Sequence, residues 1–346
     1  MIFEQIATGG CQSYLIGCPE TGAAALIDPE IRQALRYQAL ASQHGVTIRY
    51  VADTHTHADH FTASKHMGRV LDAPVVMYRL APAPFADMRL DDGDSLRVGS
   101  IRLRAMHTPG HTRDSMCLIG ADRVFTGDTL LIGATGRTDL PSGDPEQLYE
   151  SLFNKLLKLD GALKVFPAHD YKGRTHTTIA EEIASNPRLQ KRDRTEFVDM
   201  MRTLSLSMPT HLTEALRVNM SGGASVEQML AEASANTPFM SMDEVRSRIA
   251  ERLNDFVVLD VRERDAFESG HIPGARNVPR GQLELRADDV FPDPTLRIVT
   301  CCEFGKISTL AADTLRRMGF RRVAALDGGM KSWREAGHDL ESGPAA

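Results

Sequence analysis

Thr54-His55-Thr56-His57-Ala58-Asp59-His60 places three imidazoles and a carboxylate within six residues, directly after the β-branched and apolar run Ile48-Arg49-Tyr50-Val51-Ala52-Asp53. A polar loop of hydrogen-bonded histidines is the plain alternative. Further donors, however, stand where other apolar strands run out: His111 in Thr108-Pro109-Gly110-His111-Thr112, Asp128 in Thr126-Gly127-Asp128-Thr129, and His169 in Phe166-Pro167-Ala168-His169-Asp170. Nitrogen and oxygen ligands gathered at strand ends are what a catalytic metal requires. The spacing predicts a metal centre.

Outward from this stretch, short apolar and β-branched runs predict strands at 14–17, 24–28, 48–53, 75–78, 101–106, 116–119 and 124–125, with Gly, Pro and Asp breaks between them. Helical periodicity predicts helices at about 30–44, 62–71, 145–158 and 177–185. The pattern is α/β layering with much antiparallel pairing. From 209 to 238 it fades into Ser221-Gly222-Gly223-Ala224-Ser225, a short helix-like piece and Ser234-Ala235-Asn236-Thr237-Pro238, the composition of a connector. We expect domains at 1–208 and 239–346 joined by a linker at 209–238. The second unit reads as a helix at 242–253, strands at 256–261, 296–300 and 322–326, and a helix at 308–318, an alternation that implies a parallel sheet. The two halves share no motif, so no internal repeat is expected.

Composition narrows the class. With 346 residues the chain is long enough for two cores. Its apolar runs fall far short of the ~18 residues a membrane span needs, so no membrane association is expected. Lys and Arg total 40 against 46 Asp and Glu, and no basic stripe tracks phosphates, which argues against nucleic acid. Met1-Ile2-Phe3-Glu4-Gln5 lacks the basic and apolar pattern of a secretory signal, predicting a cytoplasmic protein. Five scattered cysteines read as reduced thiols; Cys11, Cys18 and Cys117 are assigned no role.

The H-x-H-x-D-H motif followed by separated His, Asp and His resembles the metallo-β-lactamase superfamily over residues 1 to about 190, implying an αββα sandwich with its metal at the sheet edge. Asp28 in Leu26-Ile27-Asp28-Pro29 matches an aspartate with a structural role in these proteins. The superfamily pattern holds one metal or two, and spacing leaves both open. Two zinc ions would take His55, His57 and His111 at one site and Asp59, His60 and His169 at the other, bridged by Asp128, as in hydrolases of the glyoxalase II type. One iron would take two His and one carboxylate.

Gly133-Ala134-Thr135-Gly136-Arg137-Thr138-Asp139, Pro167-Ala168-His169-Asp170-Tyr171 and Asn186-Pro187-Arg188-Leu189 are similar to segments of the persulfide dioxygenases. Those enzymes oxidise glutathione persulfide with O2 to sulfite and glutathione at one Fe(II). The resemblance implies iron ligands His55, His111 and Asp128, with His57, Asp59, His60 and His169 orienting ligands and hydrogen-bonding water or substrate. It also implies Arg137 as a glutathione-binding arginine and Tyr171 in the same pocket. Gly133 stands where some members carry arginine.

In the second unit Cys302-Glu303-Phe304-Gly305-Lys306-Ile307-Ser308 lies between a strand and a helix. A ring of backbone N–H groups and the positive end of a helix there stabilise an anionic thiolate or persulfide, a nucleophile's position. Cys301 points the other way and reads as a buried hydrophobe. Leu259-Asp260-Val261-Arg262, Gly270-His271-Ile272-Pro273-Gly274-Ala275, C-x-x-G at Cys302 to Gly305, and Leu326-Asp327-Gly328-Gly329-Met330-Lys331-Ser332-Trp333 resemble rhodaneses over about 239–340. Rhodaneses move sulfane sulfur through a cysteine persulfide. Ile307 replaces a common arginine and Glu303 adds an acid, leaving Lys306 or Arg280 as the substitute cation. Together the units are similar to persulfide dioxygenase/rhodanese fusions. The partners implied are glutathione persulfide, glutathione, thiosulfate or sulfite, and O2; a homo-oligomer is also compatible with the sequence. A rhodanese-like unit that only carries sulfur or docks a partner is the rival reading.

Overall fold

The computed structural model describes residues 1–170, 172–209, 212–251 and 255–344. The chain divides into two compact units, Met1–Gly223 and Ala224–Ala346. In the first, β1 (Ile2–Thr8), β2 (Cys11–Gly17), β3 (Ala23–Ile27), β4 (Thr47–Ala52), β5 (Val75–Tyr78) and β6 (Met88–Leu90) form one sheet in that order. Its β1 to β3 pair antiparallel and β3 to β6 parallel. The second sheet takes β7 (Ser95–Val98), β8 (Ile101–His107), β9 (Met116–Ile119) and β10 (Arg123–Gly127), then, past a small hairpin of β11 (Leu130–Leu131) and β12 (Ala134–Thr135), β13 (Lys164–Pro167) and β14 (Thr177–Thr178). Only β10 and β13 run parallel within it.

Strand alternation explains the sandwich. Tyr14 and Ile16 of β2 and Ala25 and Ile27 of β3 enter the core between the sheets, while Leu15, Ala24 and Leu26 face the opposite layer. Tyr14, Phe125 and Phe166 meet at ring distances of 5.1, 5.7 and 5.9 Å, and the Tyr14 hydroxyl donates to Pro167 O at the end of β13. Helices α1 (Ala34–Gln43) and α2 (Ser64–Leu71) cover the first sheet; α3 (Pro145–Tyr149), α4 (Ile179–Ser185) and α5 (Arg194–Arg202) cover the second. This is the expected αββα sandwich. The helix expected at 145–158 changes pitch after α3, through a π-helical stretch Glu150–Lys155 and a 3-10 turn Leu156–Lys158. The stretch expected to be helical from 177 begins as a strand, because Thr178 forms a capping box with Glu181 and starts α4 only at Ile179.

The expected linker at 209–238 is not a plain connector. It contains α6 (Leu212–Ser221), which belongs to the first unit, and α7 (Val226–Asn236), which belongs to the second. Between them only the Gly-rich turn breaks the chain, and Ser225 with Gln228 caps α7 through a second capping box. Thr210 and His211 lie outside the described residues.

The second unit continues with β15 (Phe239–Met240), α8 (Met242–Ala250), β16 (Phe256–Asp260), α9 (Arg264–Ser269), β17 (Arg276–Asn277), α10 (Leu283–Val290), β18 (Arg297–Cys301), α11 (Lys306–Arg317), β19 (Arg322–Leu326) and α12 (Gly329–Glu335). The sheet order is β15-β19-β18-β16-β17, all parallel, as expected. One face packs Leu283, Ala287, Ala311 and Leu315 of α10 and α11; the other packs Val245, Phe267, Met330 and Trp333 of α8, α9 and α12. Near-continuous burial of β16 and β18 follows from helices on both sides. All five cysteines are free. Among the described residues no helix is long and apolar enough to cross a membrane.

Candidate metal centre and cysteine loop

The loop after β4 carries His55, His57, Asp59 and His60; His111 follows β8, Asp128 follows β10 and His169 follows β13. The sharp exit from β10 needs glycine: Gly127 has φ +52°, and a Cβ there would sit 2.5 Å from Thr54 Oγ1 and 3.3 Å from His55 Nδ1. One donor atom from each of His55, His111 and Asp128 falls within 4.8 Å of the others.

Hydrogen bonds fix which atoms face inward. Thr54 Oγ1 donates to the Asp28 carboxylate (2.9 and 3.0 Å), so at 3.0 Å it accepts from His55 Nδ1–H. His55 Nε2 is then left as a buried lone pair without a hydrogen-bond partner. His111 Nδ1 donates to Arg137 O at 2.8 Å, directing Nε2 to a point 3.6 Å from Asp128 Oδ2. Burial, reinforced by His57, holds the His55 imidazole well below its ordinary range, so it is neutral as a ligand must be. Two orientated imidazole nitrogens and one carboxylate oxygen fit a divalent metal.

The remaining donors are spent differently. His169 bridges two carboxylates, its Nδ1 2.6 Å from Asp128 Oδ1 and its Nε2 2.7 Å from Asp59 Oδ2. Burial opposes charge on this ring, but Asp128 and Asp59 outweigh it and hold the pKa well above the usual histidine value. Burial would likewise raise Asp128 and Asp59, but His169 is the leading partner that holds both carboxyls well below the ordinary range. His60 Nδ1 lies 3.3 Å from Asp59 Oδ1 and 3.6 Å from Cys11 Sγ. Burial is overcome at His60 by Asp59 and Cys11, and its pKa is pushed up to about 10. Cys11, given no role by the sequence, thus lies against this group. Only the β1–β2 hairpin brings it there, where Gln12 N–H donates to Ala168 O at 2.7 Å. His57 Nε2 sits 3.3 Å from Asp28 and 3.8 Å from Asp53 in a buried trio. Burial and the Asp28 charge push the Asp53 carboxyl up to about 7.

Of the expected substrate-binding residues, Arg137 grips Asp139 with two bonds of 2.6 Å and donates to Ser207 O at 2.8 Å. Tyr171 lies outside the described residues. Sequence reasoning missed Arg174, whose guanidinium nitrogens lie 3.5 and 3.7 Å from where a Gly133 Cβ would be and which donates to Ile132 O. It also missed Asn219 of α6, which hydrogen-bonds the backbone of the histidine loop. Neither carried a motif signal.

In the second unit Cys302 is buried at the end of β18, where its Sγ accepts Ser308 N–H at 3.2 Å and lies 3.3 Å from Ser308 Oγ. Gly305 caps α11 in the left-handed region, and the helix starts at Lys306 rather than at the expected 308. Gly329 packs against the loop so tightly that a Cβ would lie 2.6 Å from Cys302 O. The Glu303 carboxylate is paired with Arg334 and, at 3.4 Å, with Arg262, itself paired with Asp260. Of the two substitute cations, Arg280 is engaged by Glu284 and Thr314, while Lys306 is exposed beside exposed Phe304 and Ile307. Cys301 is fully buried, and burial followed by Asp260 pushes its thiol well above the usual range.

Comparison with known proteins places each unit in a known fold family. Residues 6–169 match the metallo-beta-lactamase superfamily and residues 241–336 the rhodanese-like domain. Human mitochondrial persulfide dioxygenase ETHE1 is 39% identical over 214 residues, covering 61% of this chain and 84% of that protein. The crystal structure of ETHE1 from Myxococcus xanthus is 41% identical with a TM-score of 0.63, covering 65% of this chain and all of that one. A metallo-beta-lactamase structure from Staphylococcus aureus, 23% identical, covers 94% of this chain and 98% of that one with a TM-score of 0.60, a likeness of fold. With a persulfide dioxygenase 39% identical of which this chain covers 84%, a superfamily match over residues 6–169 and a rhodanese-like domain after it, the chain belongs to the persulfide dioxygenase family of the metallo-β-lactamase superfamily.

Proposed function

We propose that the first unit is an Fe(II)-dependent dioxygenase for glutathione persulfide, and that Cys302 of the second unit transfers sulfane sulfur between thiosulfate and glutathione. The observation that carries the reading is the division of donors. His55, His111 and Asp128 turn ligand atoms toward one point; His169 also groups with Cys11, Asp59 and His60 within 4.8 Å, but both its nitrogens are hydrogen-bonded to carboxylates, which a second metal would have to displace. One bound Fe(II) would supply the redox chemistry and the open positions that bring O2 and a persulfide together.

The chain's own groups do the rest. Thr54 and the Arg137 carbonyl hold the two imidazoles in one tautomer each. The His169 cation keeps Asp128 ionised and leaves its second oxygen facing His111. Arg137 and Arg174 are the guanidinium groups we assign to the glutathione carboxylates, with Arg137 exchanging its Asp139 partner for substrate. The reaction balances as glutathione persulfide plus O2 plus water giving glutathione and sulfurous acid: the terminal sulfur loses four electrons and O2 gains four. In the second unit the Cys302 thiolate attacks the outer sulfur of thiosulfate and expels sulfite. The resulting persulfide passes its sulfur to the glutathione thiolate, which regenerates Cys302. Ser308 N–H stabilises the sulfur anion in both steps.

Protein purified without air should contain one iron per chain and consume O2 with glutathione persulfide. Asp128→Ala should abolish that consumption, and Cys302→Ser should preserve it while ending thiosulfate-dependent transfer to cyanide or glutathione. Two zinc ions per chain, thioester hydrolysis and no O2 uptake would refute the dioxygenase assignment. Absence of transfer by the intact protein would leave the second unit a sulfur-carrier or docking module.

A further inference from the structure

Asn219, on the last helix of the first unit, is almost fully buried. Its Nδ2 donates to the carbonyls of His57 (2.9 Å) and His60 (2.8 Å), and its Oδ1 accepts Thr62 N–H (3.1 Å). Three of the four hydrogen bonds open to a primary amide are thus spent on the backbone of a single turn. Two carbonyls and one N–H also leave the amide only one orientation. Other anchors hold the flanks of the turn and its C-terminal end: Thr54 N–H donates to Asp28 Oδ1 at 2.7 Å, Ile31 N–H to Phe61 O at 3.0 Å, Thr62 Oγ1 to the Asp53 carboxylate at 2.9 and 3.1 Å, and Ala63 N–H to Pro29 O at 2.7 Å. Between these anchors Asn219 ties the start of the turn to its end.

We propose that Asn219 is a positioning residue for the metal centre: by gripping residues 57–62 it holds the turn that follows His55 and carries Asp59, and so sets their placement against His111 and Asp128. The inference rests on the reading that His55, His111 and Asp128 hold a metal. Among the described residues Asn219 makes no hydrogen bond to a ligand side chain; it acts through backbone from a helix 157 to 162 residues away in sequence. Without the amide, two buried carbonyls and an N–H lose the partners they have, and the turn relaxes toward arrangements that satisfy them elsewhere. Loss of supporting contacts around a metal typically weakens retention by ~10–100-fold.

The test uses full-length protein loaded anaerobically with Fe(II) and follows iron release to an excess of chromogenic chelator. Asn219→Leu is expected to release iron ~10-fold faster than the parent. Asn219→Asp, which keeps an acceptor for Thr62 but loses both donors, should also release faster, and serves if the Leu variant does not fold. In both, kcat should fall while KM for the persulfide stays within about twofold, the signature of a displaced reacting centre rather than lost substrate binding. Lys65→Ala, which removes the bond from Lys65 Nζ to Gly222 O beside the same helix, should release iron at the parental rate. Parental release rates in both Asn219 variants, or equal acceleration by Lys65→Ala, would overturn the proposal. If the protein instead holds zinc and takes up no O2, the dioxygenase reading fails, while the same release measurement made on zinc still decides the role of Asn219.

Discussion

Replacing His169 with leucine isolates the electrostatic core of the first unit. The wild-type ring is buried and bonded at 2.6 and 2.7 Å to two carboxylates, so the variant leaves Asp128 and Asp59 without their cation. Removing one partner from a buried ion pair costs about 3–5 kcal/mol, and the partial exposure of Asp59 favours the lower end, about 3 kcal/mol. For a unit of this size that is a drop of roughly 6–12 °C in the melting temperature of the metal-free protein. The sign with pH is defined. Because His169 is raised above its unfolded value of 6.5, its contribution is full below 6.5 and is lost as pH rises through the folded pKa; the carboxyls, lowered from 3.8, contribute fully above 3.8 and lose their share as pH falls. The penalty should therefore be greatest near pH 5.5 and smaller at pH 8, falling by no more than ~1.36 kcal/mol per unit above 6.5. Calorimetry of metal-free parent and variant at both pH values measures this, and metal analysis follows on loaded protein. The variant should still bind one iron, since His55, His111 and Asp128 are untouched. A penalty that is independent of pH, or a metal content that falls from two to one, would refute the reasoning.

Two further perturbations probe other parts of the chain. Gly329→Ala forces a Cβ against Cys302 O, Gly305 N and Glu303 O at 2.6 to 2.9 Å and at φ +65°. It should cost the second unit about 2 kcal/mol or more and end sulfur transfer while leaving O2 uptake intact, which paired sulfurtransferase and oxygen-electrode assays read directly. Burial pushes the Cys117 thiol from 9.0 up to about 12 against the opposing Thr108 hydrogen bond, so stability drawn from this raised group is full below pH 9 and declines as pH climbs toward 12. Urea denaturation should show the parent losing about 2 kcal/mol from this source between pH 9 and 10.5, and Cys117→Ala should lack that loss.

Much of this was legible in the chain itself. Strand alternation in β2 and β3 and the helix–strand alternation after Phe256 specify layers, because period-2 burial and parallel crossovers are local consequences of residue order. The donors His55, His111, Asp128 and His169 and the candidate nucleophile Cys302 stood out by residue type at strand ends. Three things did not. The connector expected at 209–238 conceals α6: of its apolar residues Leu212, Ala215, Leu216, Val218 and Met220 only Ala215 and Val218 are buried, so the face that packs is decided by the surface it meets.

Asn219, Cys11 and Arg174 occupy unremarkable sequence contexts, and the division of His169 from His111 depends on which carboxylate each nitrogen meets. Sequence determines which chemical groups a strand end can offer, since that depends on neighbours a few residues away. Their tautomers, charges and mutual distances depend on hydrogen bonds that include partners 26 to 162 positions apart, which only the closed sandwich brings together.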